Sequence, residues 1–265
     1  MHWTPIRPNH AIERTRVLIQ FATPISNKVV STLGKLVEEG RHLSGLGPRV
    51  EVLSDDIAVA AGAAGPQFLT QRSVGWQFNR ETEPGAVVEA LVLGHRSFIY
   101  ETTEYVRWRL FKERYSSLTD GVINKLASDV DVQSIALEYF DRFVFDGPMI
   151  QASPDLLLHK VFSSNLPASA RSGNELWHVH RGWFEGVGNG RFLINQNITA
   201  EDGKMPDGTD VRSVSIFTKV EHQSNGSEID LNTILVDIDS MHDVSKRVIS
   251  EALLDNAKQK VGLVQ

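Results

Sequence analysis

The feature that most constrains the fold of this chain is a series of short strand-like runs joined by turns. In Arg16–Phe21, apolar Val17, Ile19 and Phe21 alternate with less apolar neighbours, as in a strand with one buried face. Later runs are joined by turn-rich segments such as Gly186–Gly190, which are too short to hold a helical crossover. The sequence therefore predicts an α+β fold with antiparallel sheets.

Eight further segments have strand-like composition and are bounded by turn residues. They are 74–78, 87–93, 97–101, 132–145, 175–184, 191–200, 211–221 and 233–239. Residues 41–73 lie between the first two predicted strands, 16–21 and 74–78. They are predicted to form a loop or a mobile insert. Their glycines, prolines and alanines bury little apolar area to offset the entropy of ordering.

Three amphipathic segments predict helices that pack on these sheets. The clearest spans about 104–127, where apolar residues recur at spacings of three and four. An earlier helix is predicted to begin after the capping residue Ser26 and to stop at Gly40. A closing helix is predicted from Asp243 to about Lys260.

The chain is predicted to divide near residue 150. Residues 1–150 would form a strand, a helix and an antiparallel sheet with the long helix near 104–127. Residues 151–265 would form a four-stranded antiparallel half with a C-terminal helix. Because a long helix follows the strands in both parts, the pattern is consistent with two related halves.

Composition limits the class of protein. The 265 residues include no cysteine, which excludes disulfides and thiolate metal sites, and the formal net charge is −6. Acidic and basic residues are interleaved, which argues against a dedicated nucleic-acid binder. The first residues lack the apolar run of a signal peptide, and no apolar stretch is long enough to span a bilayer. A soluble, cytoplasmic protein is expected.

The block from Val88 to Phe145 contains EALVLGHRSFIYETTEYVRWRLFKERYSSLTDGVINKL followed by VQSIALEYFDRFVF. It resembles an uncharacterised prokaryotic family that is distributed sporadically among bacterial and archaeal genomes. Tyr105 and Trp108 in the helix, and the Tyr139–Phe143 pattern, carry this resemblance. It implies no established activity and no site residues. By analogy, such a patchy distribution implies an association with defence or toxin–antitoxin genes.

Two pairs of residues are candidate metal ligands. His178 and His180 lie two apart on a predicted strand, so both imidazoles would point to the same face. Asp237 and Asp239 have the same spacing on the predicted strand 233–239, and paired carboxylates can hold a divalent cation. Together the four predict a metal-dependent hydrolase or nuclease. The alternative is that both pairs lie on the solvated faces of amphipathic strands.

Arg142 is a candidate ligand-binding residue because it interrupts an otherwise apolar strand. If it faces inward it needs a partner such as Glu138 or Asp141, since an unpaired buried charge is costly. A structural ion pair and a pocket that binds carboxylate or phosphate both remain open.

No Ser-His-Asp order, nucleophile elbow or phosphate-binding loop is present. The sequence therefore favours a non-enzymatic interaction or binding protein, with a protein partner or self-association as a homodimer. The alternatives are the metal-dependent enzyme and a small-molecule binder with a pocket between sheet and helices. The cofactor, the partner and the oligomeric state are left open.

Overall fold

A computed structural model describes residues 2–62, 65–164, 166–172, 175–187, 190–204, 208–223 and 231–263. The strands are β1 (His2–Pro5), β2 (Ile12–Phe21), β3 (Arg49–Gly62), β4 (Gly65–Glu81), β5 (Val87–Leu93), β6 (Ser97–Thr102), β7 (Val132–Asp146), β8 (His178–Val187), β9 (Gly190–Lys204) and β10 (Asp210–Gln223). The helices are α1 (Asn27–Ser44), α2 (Trp108–Asp129), α3 (Lys160–Ser163), α4 (Ala168–Arg171), α5 (Leu231–Ala252) and α6 (Asp255–Lys260). Among these described helices, none is both long and apolar enough to cross a bilayer.

All ten strands belong to one antiparallel sheet, as the strand-and-turn pattern predicts. Its order is β3-β4-β5-β6-β2-β7-β10-β9-β8, and β1 pairs with the end of β7. The boundary predicted near residue 150 lies just after β7, which pairs with β2 on one side and β10 on the other. The sheet is therefore continuous across that boundary.

The three longest helices cover one face of the sheet. Leu33 of α1, Tyr115 of α2 and Ile238 of α5 are buried in one apolar cluster with alternate residues of the central strands. In β7 these inward residues are Ile135, Leu137, Tyr139, Asp141, Phe143 and Phe145. Because strand side chains alternate, the residues between them face the other side, which we call the open face.

Two predictions about the first half are wrong. Residues 41–73 are not a loop, because α1 continues to Ser44 and β3 and β4 form an antiparallel hairpin. Backbone pairing satisfies the amide groups of such a segment whatever the size of its side chains. Ser26 does cap α1, since its Oγ accepts from the Val29 amide at 3.4 Å. The helix ends before Gly45, whose φ of 73° is left-handed, and not at Gly40.

The predicted strand 233–239 is also wrong, because these residues form the first turns of α5. Alternating Ile234, Val236 and Ile238 fit a strand over seven residues. Over a longer window Ile234, Ile238 and Met241 continue at spacings of four and three, which is a helix face. Among the described residues after β7 there are therefore three strands, β8 to β10, and not the predicted four.

Two glycines of α1 make a matched stability test. A Cβ at Gly34 would lie 2.9 Å from the ring atom Cδ1 of Trp76, whereas a Cβ at Gly40 meets nothing within 4 Å. Gly40→Ala is expected to raise the free energy of unfolding by up to about 1 kcal/mol through helix propensity. Gly34→Ala is expected to lower it by about 1–3 kcal/mol, because the indole must move.

Urea unfolding followed by circular dichroism measures both changes. Equal stabilisation by the two substitutions would contradict the packing of Trp76 on α1.

Candidate functional site

A pocket of about 820 Å³ lies between the sheet and α5. The inward residues of the central strands form its floor, the start of α2 and one side of α5 form its walls, and the chain after α6 closes one end. Its floor residues are Ile12, Tyr139, Asp141, Phe143 and Thr218. On α5, spacings of three, one and three place the four wall residues on one helix face: His242, Ser245, Lys246 and Ile249.

Asp141 is the charged group on the floor of this pocket. The residue is only 8 % exposed, and within the described part of the chain its carboxyl group has no hydrogen-bond or ion-pair partner. Burial therefore raises the pKa of Asp141 to about 7. An ionised carboxyl group is costly to bury unless a hydrogen-bond donor or a cation contacts it.

A group of contacting aromatic rings, Tyr105, Tyr139, His242 and Trp108, lies beside Asp141 in the pocket lining. The Tyr139 hydroxyl lies 2.9 Å from Nδ1 of His242, and the Tyr139 ring packs edge-on against Tyr105 with 5.9 Å between centroids. The His242 ring stacks on Trp108 with 4.3 Å between centroids and 6° between planes. Asp239 orients this indole by accepting from its Nε1 at 2.8 Å. The Tyr139 hydroxyl and the Trp108 ring therefore hold the His242 ring from two sides.

These rings are uncharged at neutral pH. Burial lowers the pKa of His242 to about 4, so the imidazole is neutral above that pH. Burial also raises the pKa of Tyr105 to about 12, and it raises the pKa of Tyr139 well above its usual value. The pocket floor thus combines neutral hydrogen-bonding groups with one carboxyl group that titrates near pH 7.

Two further polar atoms at the pocket lack partners among the described residues. They are Oγ of Ser245, in a residue 4 % exposed, and Nδ1 of His10. Burial, and secondarily the charge of Arg7, lowers the pKa of His10. Buried polar groups in native proteins are almost always hydrogen-bonded. Asp141, Ser245 and His10 thus bring three polar groups without hydrogen-bond partners among the described residues to one cavity.

The chemistry available here is hydrogen bonding and proton exchange. A carboxyl group whose pKa is near 7 is present in both protonation states at neutral pH, so it can donate or accept a proton.

The four predicted metal ligands do not come together. His178 and His180 lie on the open face of β8, where they bond Thr199 and Asn197 of β9. Asp237 lies on α5, which covers the opposite face, and accepts from His222 Nδ1 at 2.9 Å.

Asp239 is also on α5, bonded to Trp108 and Lys112. Across the described ranges, no three histidine, aspartate or glutamate side chains are grouped so that they could hold a metal ion. The prediction paired residues across the sheet because it took 233–239 for a strand.

Arg142 lies on the open face and not in the core. Its Nε donates to Glu13 at 2.9 Å, and its Nη1 to Ser213 at 3.2 Å and Glu201 at 3.5 Å. Neither of the partners expected for it, Glu138 and Asp141, is among these contacts. Asp141 points to the opposite side because successive strand residues alternate.

Glu89 shows how a buried carboxylate is usually stabilised, by hydrogen bonds from neighbouring side chains. Glu89 is 2 % exposed beside a pocket of about 340 Å³, and it accepts from Arg114, Arg80 and the Tyr100 hydroxyl. Burial opposes its ionisation, but these hydrogen bonds lower the pKa of Glu89 overall. Asp141 has no such partners, which distinguishes the first pocket as the candidate site.

Sequence reasoning missed Asp141, although a signal for it exists. At every second position from Ile135 to Phe145, β7 places apolar or aromatic residues, and Asp141 is the one charged residue in that register. Tyr105 and Trp108 were noticed for their aromatic character, but nothing in the sequence places His242 or Ser245 against them.

Replacing Asp141 by Asn tests its burial. Because folding raises the pKa of Asp141, folding is favoured while the group is protonated. This stability is lost as the pH rises from the unfolded value, near 4, to about 7. Asp141→Asn cannot ionise, so it is expected to be more stable than the unsubstituted protein at pH 8 by a few kcal/mol, and the difference should shrink towards pH 4.

Urea unfolding at the two pH values measures this difference. The matched control is Asp146→Asn at the exposed end of β7, which should leave the pH dependence unchanged. A constant difference between Asp141→Asn and the unsubstituted protein would refute the raised pKa.

No protein-family model matches this chain, and no curated protein matches it significantly. The candidate site is therefore interpreted from its own geometry and chemistry.

Proposed function

We propose that this protein binds a small organic molecule in the pocket between the sheet and α5. The observation that carries the proposal is Asp141, a buried carboxyl group that faces the cavity without a hydrogen-bond partner among the described residues. A bound molecule with a polar group would satisfy Asp141 and the Ser245 hydroxyl. Small-molecule sites typically combine such convergent polar groups with a largely apolar lining and a volume of about 300–1,000 Å³.

The apolar part of the lining supports the same function. It consists of Ile12, Val106, Phe143, Ile249, Leu253, Val261 and Leu263. These residues come from β2, β7, α5 and the chain that precedes and follows the helices, so the cavity exists only in the folded protein.

A fluorescent probe tests whether the pocket accepts a ligand. N-phenyl-1-naphthylamine is uncharged and fluoresces in apolar surroundings, and we expect it to bind with one-to-one stoichiometry. Ser245→Phe places a ring into the cavity and should weaken binding by about tenfold or more. Ser240→Phe, on the same helix but away from the pocket lining, is the matched control and should bind as the unsubstituted protein does.

Val106→Trp gives a second blocking variant at a position that is 63 % exposed, so its fold is not at risk. Unchanged probe binding in both blocking variants, with both folded by circular dichroism, would contradict ligand binding in this pocket.

We also propose association with a protein partner or a second copy of the chain through the open face. No described helix packs on this face. The rings of Phe140 and Phe217 contact there with 4.7 Å between centroids and 46° between planes, and Phe184 is 51 % exposed. Exposed aromatic residues of this kind are enriched at protein interfaces.

Light scattering after size exclusion tests self-association. A homodimer has twice the 29.5 kDa mass of the chain, and Phe184→Lys on the open face should shift it to the monomer. Val236→Lys, 64 % exposed on α5, is the control for a lysine added on the other side. A monomer in the unsubstituted protein that also retains no partner of defined stoichiometry would contradict the proposal.

We further propose that the chain consists of two related halves and that it works in the cytoplasm. The strand order supports the first point. After β2 come α1, the strands β3 to β6 and α2, and β6 returns beside β2. After β7 come short helices, the strands β8 to β10 and α5, and β10 returns beside β7. The absence of cysteine favours the second point.

A further inference from the structure

The charges that line the pocket point to the class of molecule that it binds. Three basic residues, Arg107, Lys246 and Lys260, belong to the lining, and Asp141 is its only acidic residue. The chain as a whole carries a formal charge of −6. The pocket therefore concentrates positive charge on a protein that is acidic overall.

These cations are available to a ligand. Arg107 and Lys246 are exposed, and in the part of the chain that the structure describes neither forms an ion pair. Lys260 donates to the backbone carbonyl of Trp3 at 2.8 Å, so it also lacks a neutralising acid. Two other exposed arginines are neutralised by ion pairs, Arg109 with Glu113 and Arg247 with Glu185.

The cations and the carboxyl group occupy different depths. Arg107 and Lys246 are exposed to solvent and therefore lie at the mouth, whereas Asp141 and Ser245 are buried. Apolar side chains, Phe143 and Ile249 among them, also line the cavity. A molecule that matches this arrangement has an anionic group at the mouth, an apolar body and a hydrogen-bonding group at the deep end.

We infer that the ligand is a small organic anion with an apolar body, whose negative group lies between Arg107 and Lys246. This inference rests on the proposed function, because it names the class of molecule that the same pocket binds. Fields from unpaired cations around a low-dielectric cleft favour an anion over a neutral molecule of the same shape.

Two probes of the same shape test the inference. The sulfonate of 8-anilinonaphthalene-1-sulfonate is the only difference between it and N-phenyl-1-naphthylamine. Titrated by fluorescence at low salt, the anionic probe should bind more tightly than the neutral one. Arg107→Gln combined with Lys246→Gln should weaken binding of the anionic probe roughly fivefold more than binding of the neutral probe.

The matched control removes the same charge elsewhere. Lys28→Gln combined with Lys35→Gln changes two exposed residues of α1, away from the pocket lining, and should leave both affinities unchanged. All four substituted positions are exposed, so circular dichroism should show unaltered folding.

Equal affinities of the two probes for the unsubstituted protein would overturn the inference while leaving the proposed function intact. So would an equal loss in the control variant, because it would show a general effect of net charge. Failure of both probes to bind, or binding that Ser245→Phe does not weaken, would instead overturn the proposed function itself.

Discussion

The pairing of β7 with its neighbours is the constraint on which the rest of the structure depends. This strand bonds to β2 and, at its end, to β1 on one side and to β10 on the other, so it joins the two parts of the chain in one sheet. One residue of slip in its register would move every inward side chain to the open face. The same register that buries Leu137 and Phe143 also buries Asp141.

Burying Asp141 opposes folding, and the structure keeps it without any of the partners that stabilise Glu89. Residues that break the local rules of packing tend to cluster at functional sites, where a ligand provides what the protein does not. The unsatisfied Ser245 and His10 atoms border the same cavity. The polar groups without described partners thus lie together at one cavity, although no recognised catalytic motif is among the described lining residues.

The sequence predicted most strands because alternation is a local signal, and β5, β6 and β7 fall within a residue of their predicted bounds. The prediction failed at 233–239, where seven residues are too few to distinguish the repeat of a strand from that of a helix. It also failed where side chains carry no pattern, as in the hairpin of β3 and β4. The error at 233–239 had a functional consequence, because it placed Asp237 and Asp239 on a strand beside the histidines of β8.

The sequence by itself determined the antiparallel α+β class and the positions of most strands, since both depend on spacing along one segment. Only the tertiary structure decided that His242, Ser245 and Tyr105 surround Asp141, and that Arg107 and Lys246 border the same cavity. These residues come from α5 and from the segment that joins β6 to α2, far apart in the chain. Their meeting depends on how the helices pack across the sheet, which no local periodicity encodes.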